Sequence, residues 1–202
     1  MTKDRTLSEY EKKRDFRSSP EPQGGTSANG GEPVFVIQKH DASNLHYDFR
    51  IEVDGVLKSW AVPKGPSTDP RQKRLAVPTE DHPLEYADFE GVIPEDEYGG
   101  GTVLLWDRGP YRNLRAGKDD DGSSMAESLA DGKIEVWLEG SKIRGGYALV
   151  RTGGADDERW LLIKMDDDEA DARRKPTSTE SESVASSRDL EEVAEEEGGG
   201  GS

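Results

Sequence analysis

The chain has no cysteine, which excludes a disulfide framework and any thiolate zinc site. No stretch approaches the ~18 apolar residues of a membrane span, and the first sixteen residues hold no apolar core of the kind a secretory leader needs. A reducing cytoplasm is the expected location, with no membrane partner. Apolar residues make up only 31% of the 202 and aromatics 7%. That poverty is concentrated at the two ends, so the length suits one domain of ordinary size with polar tails. No repeat of 20 to 50 residues recurs, which argues against a solenoid. Basic charge is also short: the formal net charge is −16. It is distributed as +1 over residues 1–30, −8 over 31–165 and −9 over 166–202. An acidic chain does not coat a duplex by long-range attraction, but it can grip one or two phosphates locally.

Histidine is scarce as well, three in all, and two of them fall in residues 34–50, VFVIQKHDASNLHYDFR. From Leu45 the chain alternates, with Leu45, Tyr47, Phe49, Ile51 and Val53 apolar and His46, Asp48, Arg50 and Glu52 polar. Period two marks a half-buried β-strand. His46, Asp48 and Arg50 then project together from the face that does not feed the core. Residues 34–40 are β-rich too, and Asp-Ala-Ser-Asn after them is turn chemistry, so the two runs read as a hairpin. That register sets His40 opposite or diagonal to His46, about 4.5 to 8 Å apart at Cβ. A lone strand histidine is usually a hydrogen-bonded surface or core residue. Two imidazoles and a carboxylate on one hairpin face are a candidate cation site.

The remaining punctuation gives the architecture. Residues 7–16 carry a short helical pattern, which the prolines at 20 and 22 end, and a Gly-rich connector follows. Asp54-Gly55 is a tight-turn signal between strands. Further strands are read at 56–62, 74–78, 102–107, 133–138, 143–152 and 159–165, with a helix-like stretch at 123–130. About eight short strands without long helices between them predict a mainly β fold, a compact antiparallel barrel with a few short helices and flexible termini. The divisions are an N-terminal arm (1–30), the barrel (31–165) and an acidic, Ser-rich tail (166–202) expected to be disordered. Asp119-Asp120-Asp121 reads as a solvated turn rather than an ion site. The glycines at 99–101 lack the following helix and the Lys-Ser/Thr of a phosphate loop.

A His/His/Asp set leaves open positions on a bound ion and suits Mn, Fe or Zn. Such an ion binds and polarises a phosphate oxygen or acidifies a water. Arg50, two residues beyond Asp48 on the same face, offers a planar fork that matches phosphate. His82 is placed to protonate a leaving oxygen or stabilise phosphoryl charge, and Tyr86 to add a hydroxyl donor. These residues suit phosphoester chemistry.

At these positions the chain resembles the 3′-phosphoesterase domain of the bacterial and archaeal DNA repair ligase D. The resemblance covers roughly residues 7–165. It rests on YEKKRDF (10–16) with Pro20-Glu21-Pro22, FVIQKHDASNLHYDFR (35–50), WAVPKGP (60–66), EDHPLEY (80–86) and GVIPEDEYGGGTV (91–103). It implies a β-barrel in which His40, His46 and Asp48 hold manganese, with Co2+ or Zn2+ able to take the same site. It also implies that Arg50, His82 and Tyr86 hold and polarise the scissile phosphate. Lys64, Arg74 and Glu80 are implicated around the substrate, with Arg14, Asp15 and Glu21 from the arm. The implied activity is two-step healing of 3′ ends of DNA or DNA-RNA primer-templates, a phosphodiesterase step and then a phosphomonoesterase step. Residues 182–193 look like the linker that follows this domain in fused ligases. A monomer working beside a separately encoded DNA ligase or polymerase is the expectation. Two rivals are an iron(II) oxygenase, which would use His82 as a third ligand and leave His40 idle, and a non-catalytic module that binds nucleic-acid ends around a structural metal.

Overall fold

The computed structural model describes residues 7–22, 32–116, 122–154 and 156–198. The connector at 23–31 and the aspartates at 119–121 lie outside them. Nine strands share one antiparallel sheet: β1 Val34–Asp41, β2 Leu45–Val53, β3 Val56–Val62, β4 Lys73–Pro83, β5 Gly91–Ile93, β6 Gly101–Asn113, β7 Lys133–Glu139, β8 Arg144–Thr152 and β9 Arg159–Lys164. β1 pairs with β2 on one side and β6 on the other. Eight strands, ordered β1-β2-β3-β4-β9-β8-β7-β6, therefore close on themselves, while β5 lies outside against the start of β6. The closed antiparallel barrel read from the sequence is the fold, and closure leaves those eight strands no free edge. The helices are short: α1 Ser8–Lys12, α2 Met125–Asp131, α3 Pro176–Thr179 and α4 Leu190–Gly198, with a 3-10 turn at Leu84–Asp88.

Alternation builds the interior. Tyr47, Phe49, Ile51 and Val53 turn inward to meet Trp60, Val62, Trp106, Tyr147 and Trp160 in one apolar cluster. Asp54 and Gly55, both at positive φ, form the tight turn that joins β2 to β3 with the hand a two-residue hairpin needs. A second cluster sits outside the barrel, where Tyr10, Tyr86, Phe89 and Ile93 pack over Val36, Val103 and Leu105. This outer layer buries the back of the hairpin's polar row and makes its polar groups a floor rather than a solvated face.

Two strands are longer than the sequence predicted, and one was not foreseen. β4 runs eleven residues rather than five and carries Glu80 and His82. β6 runs thirteen because it serves three partners, β5, β1 and β7. β5 is three residues long, too short to display a period.

Buried Asp107 on β6 ties the loop between β7 and β8. It accepts hydrogen bonds from the backbone N–H groups of Arg108 (2.9 Å), Ser141 (2.8 Å), Lys142 (3.1 Å) and Ile143 (2.8 Å). Burial pushes its pKa up, against the lowering effect of those four donors. Asp107→Ala is expected to destabilise the fold by about 3 kcal/mol, since buried donors left without a partner cost more than an average hydrogen bond. Urea unfolding checks it through the shift in midpoint.

The tail corrects an expectation. Residues 166–198, read as disordered from their acidity, instead strap the barrel. Their backbone carbonyls accept from donors that the barrel buries: Trp106 Nε1 to Glu180 O (2.6 Å), Tyr47 Oη to Thr177 O (3.2 Å), and Lys142 Nζ to Glu182 O. Val184 N–H bonds Leu105 O at 2.9 Å, and Val193 on α4 is fully buried in the interior cluster. Composition predicts disorder when a segment has no apolar surface to bury; here the segment supplies acceptors, and buried polar groups demand partners.

Candidate active site

The hairpin register brings the charged row together. His40 lies directly opposite His46 and Gln38 opposite Asp48, and the two imidazole centroids are 4.8 Å apart. His46 Nε2 is 3.2 Å from each carboxylate oxygen of Asp48, and His40 Nδ1 is 3.4 Å from Oδ2. The three ligand atoms lie within 4.8 Å of one another. Each imidazole's other nitrogen donates to a backbone carbonyl, His40 Nε2 to Gly99 O at 2.7 Å and His46 Nδ1 to Asn44 O at 3.1 Å. Those bonds turn both inner nitrogens toward the carboxylate, where each donates to Asp48 when its ring is protonated and offers a lone pair to an ion when it is not, the outer support a metal-binding histidine ordinarily has. Adjacent ligands on an ion with ~2.1 Å bonds stand about 3 Å apart, so the donor set fits a divalent metal.

Glycine makes the His40 tether possible. Gly99 has φ +74°, and Gly101 has φ +139° with a virtual Cβ only 2.1 Å from Asp41 O. A side chain at 101 would push β6 away from the end of β1 that carries His40.

The electrostatics follow from the same neighbours. Burial alone would raise the Asp48 pKa, but Arg50 and the hydrogen bonds from both imidazoles hold it well below the ordinary carboxylate range. Burial disfavours charge on His46 too, yet the hydrogen bond and charge of Asp48 and the Asn44 carbonyl raise its pKa. Two lone pairs facing a carboxylate call for positive charge between them; a proton on His46 or a metal ion supplies it.

Beside this cluster stand two guanidiniums. Arg50 Nη2 is 3.4 Å from Asp48 Oδ2, its Nε donates to Gln38 Oε1 (2.7 Å), and its guanidinium lies over the Tyr86 ring (4.9 Å). Gln38 in turn donates to the carbonyls of Tyr86 (2.8 Å) and Phe89 (2.9 Å). Arg14, from the arm, binds Glu21 Oε2 (2.8 Å) and Glu80 Oε1 (3.1 Å). Arg14 Nη2 lies 3.3 Å from His82 Nε2. Arg50 Nη1 lies 3.2 Å and the Glu80 carbonyl oxygen 2.8 Å from His82 Nδ1; the carbonyl only accepts and is the nearer, so the ring proton sits on Nδ1 and donates to it, and Nε2 accepts from Arg14. Burial, then Arg50 and Arg14, push the His82 pKa well below its ordinary value, so the ring is neutral. The Tyr86 hydroxyl donates to Glu21 (2.8 Å) and has its pKa raised by burial and by Glu21.

A cleft of about 270 Å³ opens over these groups, lined by Arg14, His40, His46, Asp48, Arg50, Glu80, His82 and Tyr86 among others. A register shift between Leu57 and Ser59 on β3 lets consecutive β4 residues, Thr79 and Glu80, both face it, a common use of bulges beside active sites. His40 completes the metal-ligating group and His82 stands apart from it, the reverse of the oxygenase arrangement. Glu21 enters only through Arg14 and Tyr86. Lys64 and Arg74 do not line the cleft; they border a separate depression with Lys73 and Leu75. Asp15 is exposed and caps the arm's turn, accepting from Arg17 N–H and Ser18 Oγ.

Gln38 and Asn44 were not singled out from the sequence, and Gly99 was read only as one of a glycine run, without a place in the site. Gln38 had a signal, because it precedes His40 by two on the same strand face. The carbonyl tethers had none, since any residue offers a carbonyl.

Among known proteins, the family described as the DNA Ligase D 3'-phosphoesterase domain matches residues 38–151. The multifunctional non-homologous end joining protein LigD of Pseudomonas aeruginosa is 49% identical over 173 residues, 84% of this chain and 20% of that protein. The LigD proteins of Mycobacterium tuberculosis (44% identity) and Mycolicibacterium smegmatis (43% identity) match 79% and 80% of the chain, and 20% and 21% of their own lengths. The chain thus spans about a fifth of these relatives. The match includes the cluster, the arginine and the cleft histidine just described, and it places this chain in the DNA ligase D 3′-phosphoesterase domain family.

Proposed function

We propose that this protein heals 3′ ends of DNA and of DNA-RNA primer-templates in two hydrolytic steps. The first cleaves the bond between a 3′-phosphate and a terminal ribonucleoside, which leaves with its 5′-hydroxyl. The second adds water across the remaining 3′-phosphate ester and yields a 3′-hydroxyl and inorganic phosphate. The observation that carries this reading is the convergence of His40, His46 and Asp48 with Arg50 and Arg14 in one cleft.

His40, His46 and Asp48 would hold a divalent ion; manganese suits them, and Co2+ or Zn2+ would fit the same donors. Such an ion supplies Lewis-acid polarisation of phosphate and a water acidified toward neutral pH. The protein's own groups orient the substrate. Arg50, braced by Gln38 and by the face of Tyr86, presents Nη1 and Nη2 to the phosphate. Arg14, braced by Glu21 and Glu80, approaches it from the arm. A phosphate dianion between the two guanidiniums offsets two of the three causes that keep His82 neutral. His82 then gains proton affinity where charge develops on the leaving oxygen. Tyr86 acts through Arg50 and Glu21, and Asp15 through the turn of the arm. Lys64 and Arg74, outside the cleft, bind the nucleic-acid backbone farther from the scissile group. Sealing or extension of the healed end is the task of a DNA ligase or polymerase, the separately encoded partner of this reading. The protein itself works as a cytoplasmic monomer.

A primer ending in one ribonucleotide, incubated with the protein and Mn2+, is expected to pass through a 3′-phosphate to a 3′-hydroxyl on a denaturing gel. In Arg50→Lys the cation stays but the fork is lost, and the rate should fall by about a hundredfold. Unchanged primer under every divalent metal would overturn the assignment.

A further inference from the structure

Among the described residues, four large apolar side chains are exposed: Leu45 (47%), Leu75 (40%), Val77 (39%) and Tyr98 (47%). Leu45 precedes His46, Tyr98 lines the cleft, and Leu75 and Val77 stand on β4. Scattered single apolar residues on a surface need no explanation, but Leu75 and Val77 stand two apart on one exposed face of a single strand and form a patch.

The sheet register locates the β4 pair. Asp48 is paired with Ala61, and Ala61 with Val77, so the three side chains share one face in a row across β2, β3 and β4. At ~4.8 Å per strand, Val77 stands about 10 Å from Asp48, the reach of one nucleoside from its phosphate. Leu75 continues the ledge two residues along the same face and borders the depression that holds Lys64, Lys73 and Arg74. In the other direction, Thr79 lines the cleft, and its buried hydroxyl has no protein partner. A buried hydroxyl ordinarily finds one, so this group points to a ligand with an oxygen or N–H at that place.

We propose that the outer face of β4, Leu75, Val77 and Thr79, seats the nucleoside that carries the scissile 3′-phosphate. The base lies on the Val77–Leu75 ledge, Thr79 bonds a sugar oxygen, and the strand leaves toward the lysines and arginine beyond. The inference rests on the proposed 3′-end activity and adds a direction to it: the retained strand runs across β3 and β4. An apolar ledge tolerates any base, because every base offers a flat π-face.

The test pairs a protein change with a substrate change in the full-length chain. One primer ends in an ordinary nucleotide 3′-phosphate and a second in a stable abasic analogue bearing the same phosphate. Leu75 and Val77 are exposed, so Leu75→Ser with Val77→Ser leaves the fold intact. The double variant is expected to raise KM for the ordinary primer about tenfold, with kcat within about twofold and inhibition by inorganic phosphate unchanged. The abasic end should cost the wild type a similar factor and cost the double variant nothing further. Thr79→Val should raise KM about fivefold on both primers. An unchanged KM in the double variant, or a variant that still discriminates against the abasic end as strongly as wild type, overturns the ledge. If wild type turns over neither primer, the activity itself fails. Fluorescence anisotropy with the same two oligonucleotides then decides the ledge: equal affinity of wild type for both ends overturns it, and a preference lost in the double variant upholds it.

Discussion

Asp48→Ala is expected to lower the rate of 3′-phosphate removal by at least about a thousandfold, on the order of 4 kcal/mol of transition-state stabilisation. Among the described residues, the carboxylate is the one group that touches both imidazoles and Arg50, so its loss acts at three places. The three-residue cluster loses its one carboxylate, both imidazoles lose the charge they face, and Arg50 loses the partner that holds it at the edge of the cluster. Asp48→Asn keeps the shape and should fall nearly as far, because charge rather than volume is what the site needs. The fold survives either change, since the barrel interior lies on the other face of β2, and circular dichroism should show it. Loss of activity with loss of structure would leave Asp48 a folding residue instead.

Removal of the strap has the second largest expected effect, this time on stability. A chain ending at residue 165 exposes the interior face that Val193 covers and orphans the donors of Trp106, Tyr47 and Lys142. One buried valine and three buried donors together amount to on the order of 5 kcal/mol. For a chain of this size that lowers Tm by about 10 to 20 °C. Val193→Asp in the full-length chain should reproduce about half of the shift. The strap is also clipped by Glu90, which accepts from Ser186 Oγ (2.6 Å) and Arg188 Nη2 (3.1 Å). Burial would raise the Glu90 pKa, but the bonds from Ser183, Ser186, the Leu105 N–H and Arg188 lower it. A carboxyl depressed in the folded state stabilises above its unfolded pKa and loses that contribution as acid protonates it. The difference in Tm between full-length and truncated chains should therefore shrink below the ordinary carboxylate range. A truncated chain that melts within about 2 °C of the full one would return the tail to the disordered class.

The centre of the site was legible because it is local. Alternation over residues 45–53 fixes which side chains share a face, a short turn fixes the register, and together they bring His40, His46 and Asp48 to one point without any knowledge of the rest of the chain. The barrel was legible for the same reason, as a succession of short strands with turn residues between them. What a single period does not contain was lost. The union of Arg14 with Glu80 and His82 spans 66 and 68 residues, and no spacing announces it; the resemblance alone drew attention to Arg14 and Glu21. The resemblance also grouped Lys64, Arg74 and Asp15 with the substrate, but all three lie outside the cleft, the first two at the neighbouring depression and Asp15 in the turn of the arm. β5 is too short to read. The strap was misjudged because composition counts side chains, while most of what the strap gives the barrel is backbone carbonyl oxygen.

The claim on which the rest stands is that two imidazoles and one carboxylate of the hairpin hold a single divalent ion. Pulsed electron paramagnetic resonance of Mn2+ bound to the full-length protein measures that directly through the nitrogens coupled to the electron spin. The prediction is one ion per chain coupled to two histidine nitrogens, reduced to one nitrogen in His40→Ala and in His46→Ala and unchanged in His82→Ala. Manganese bound without imidazole coupling, or coupling that disappears in His82→Ala, would contradict it.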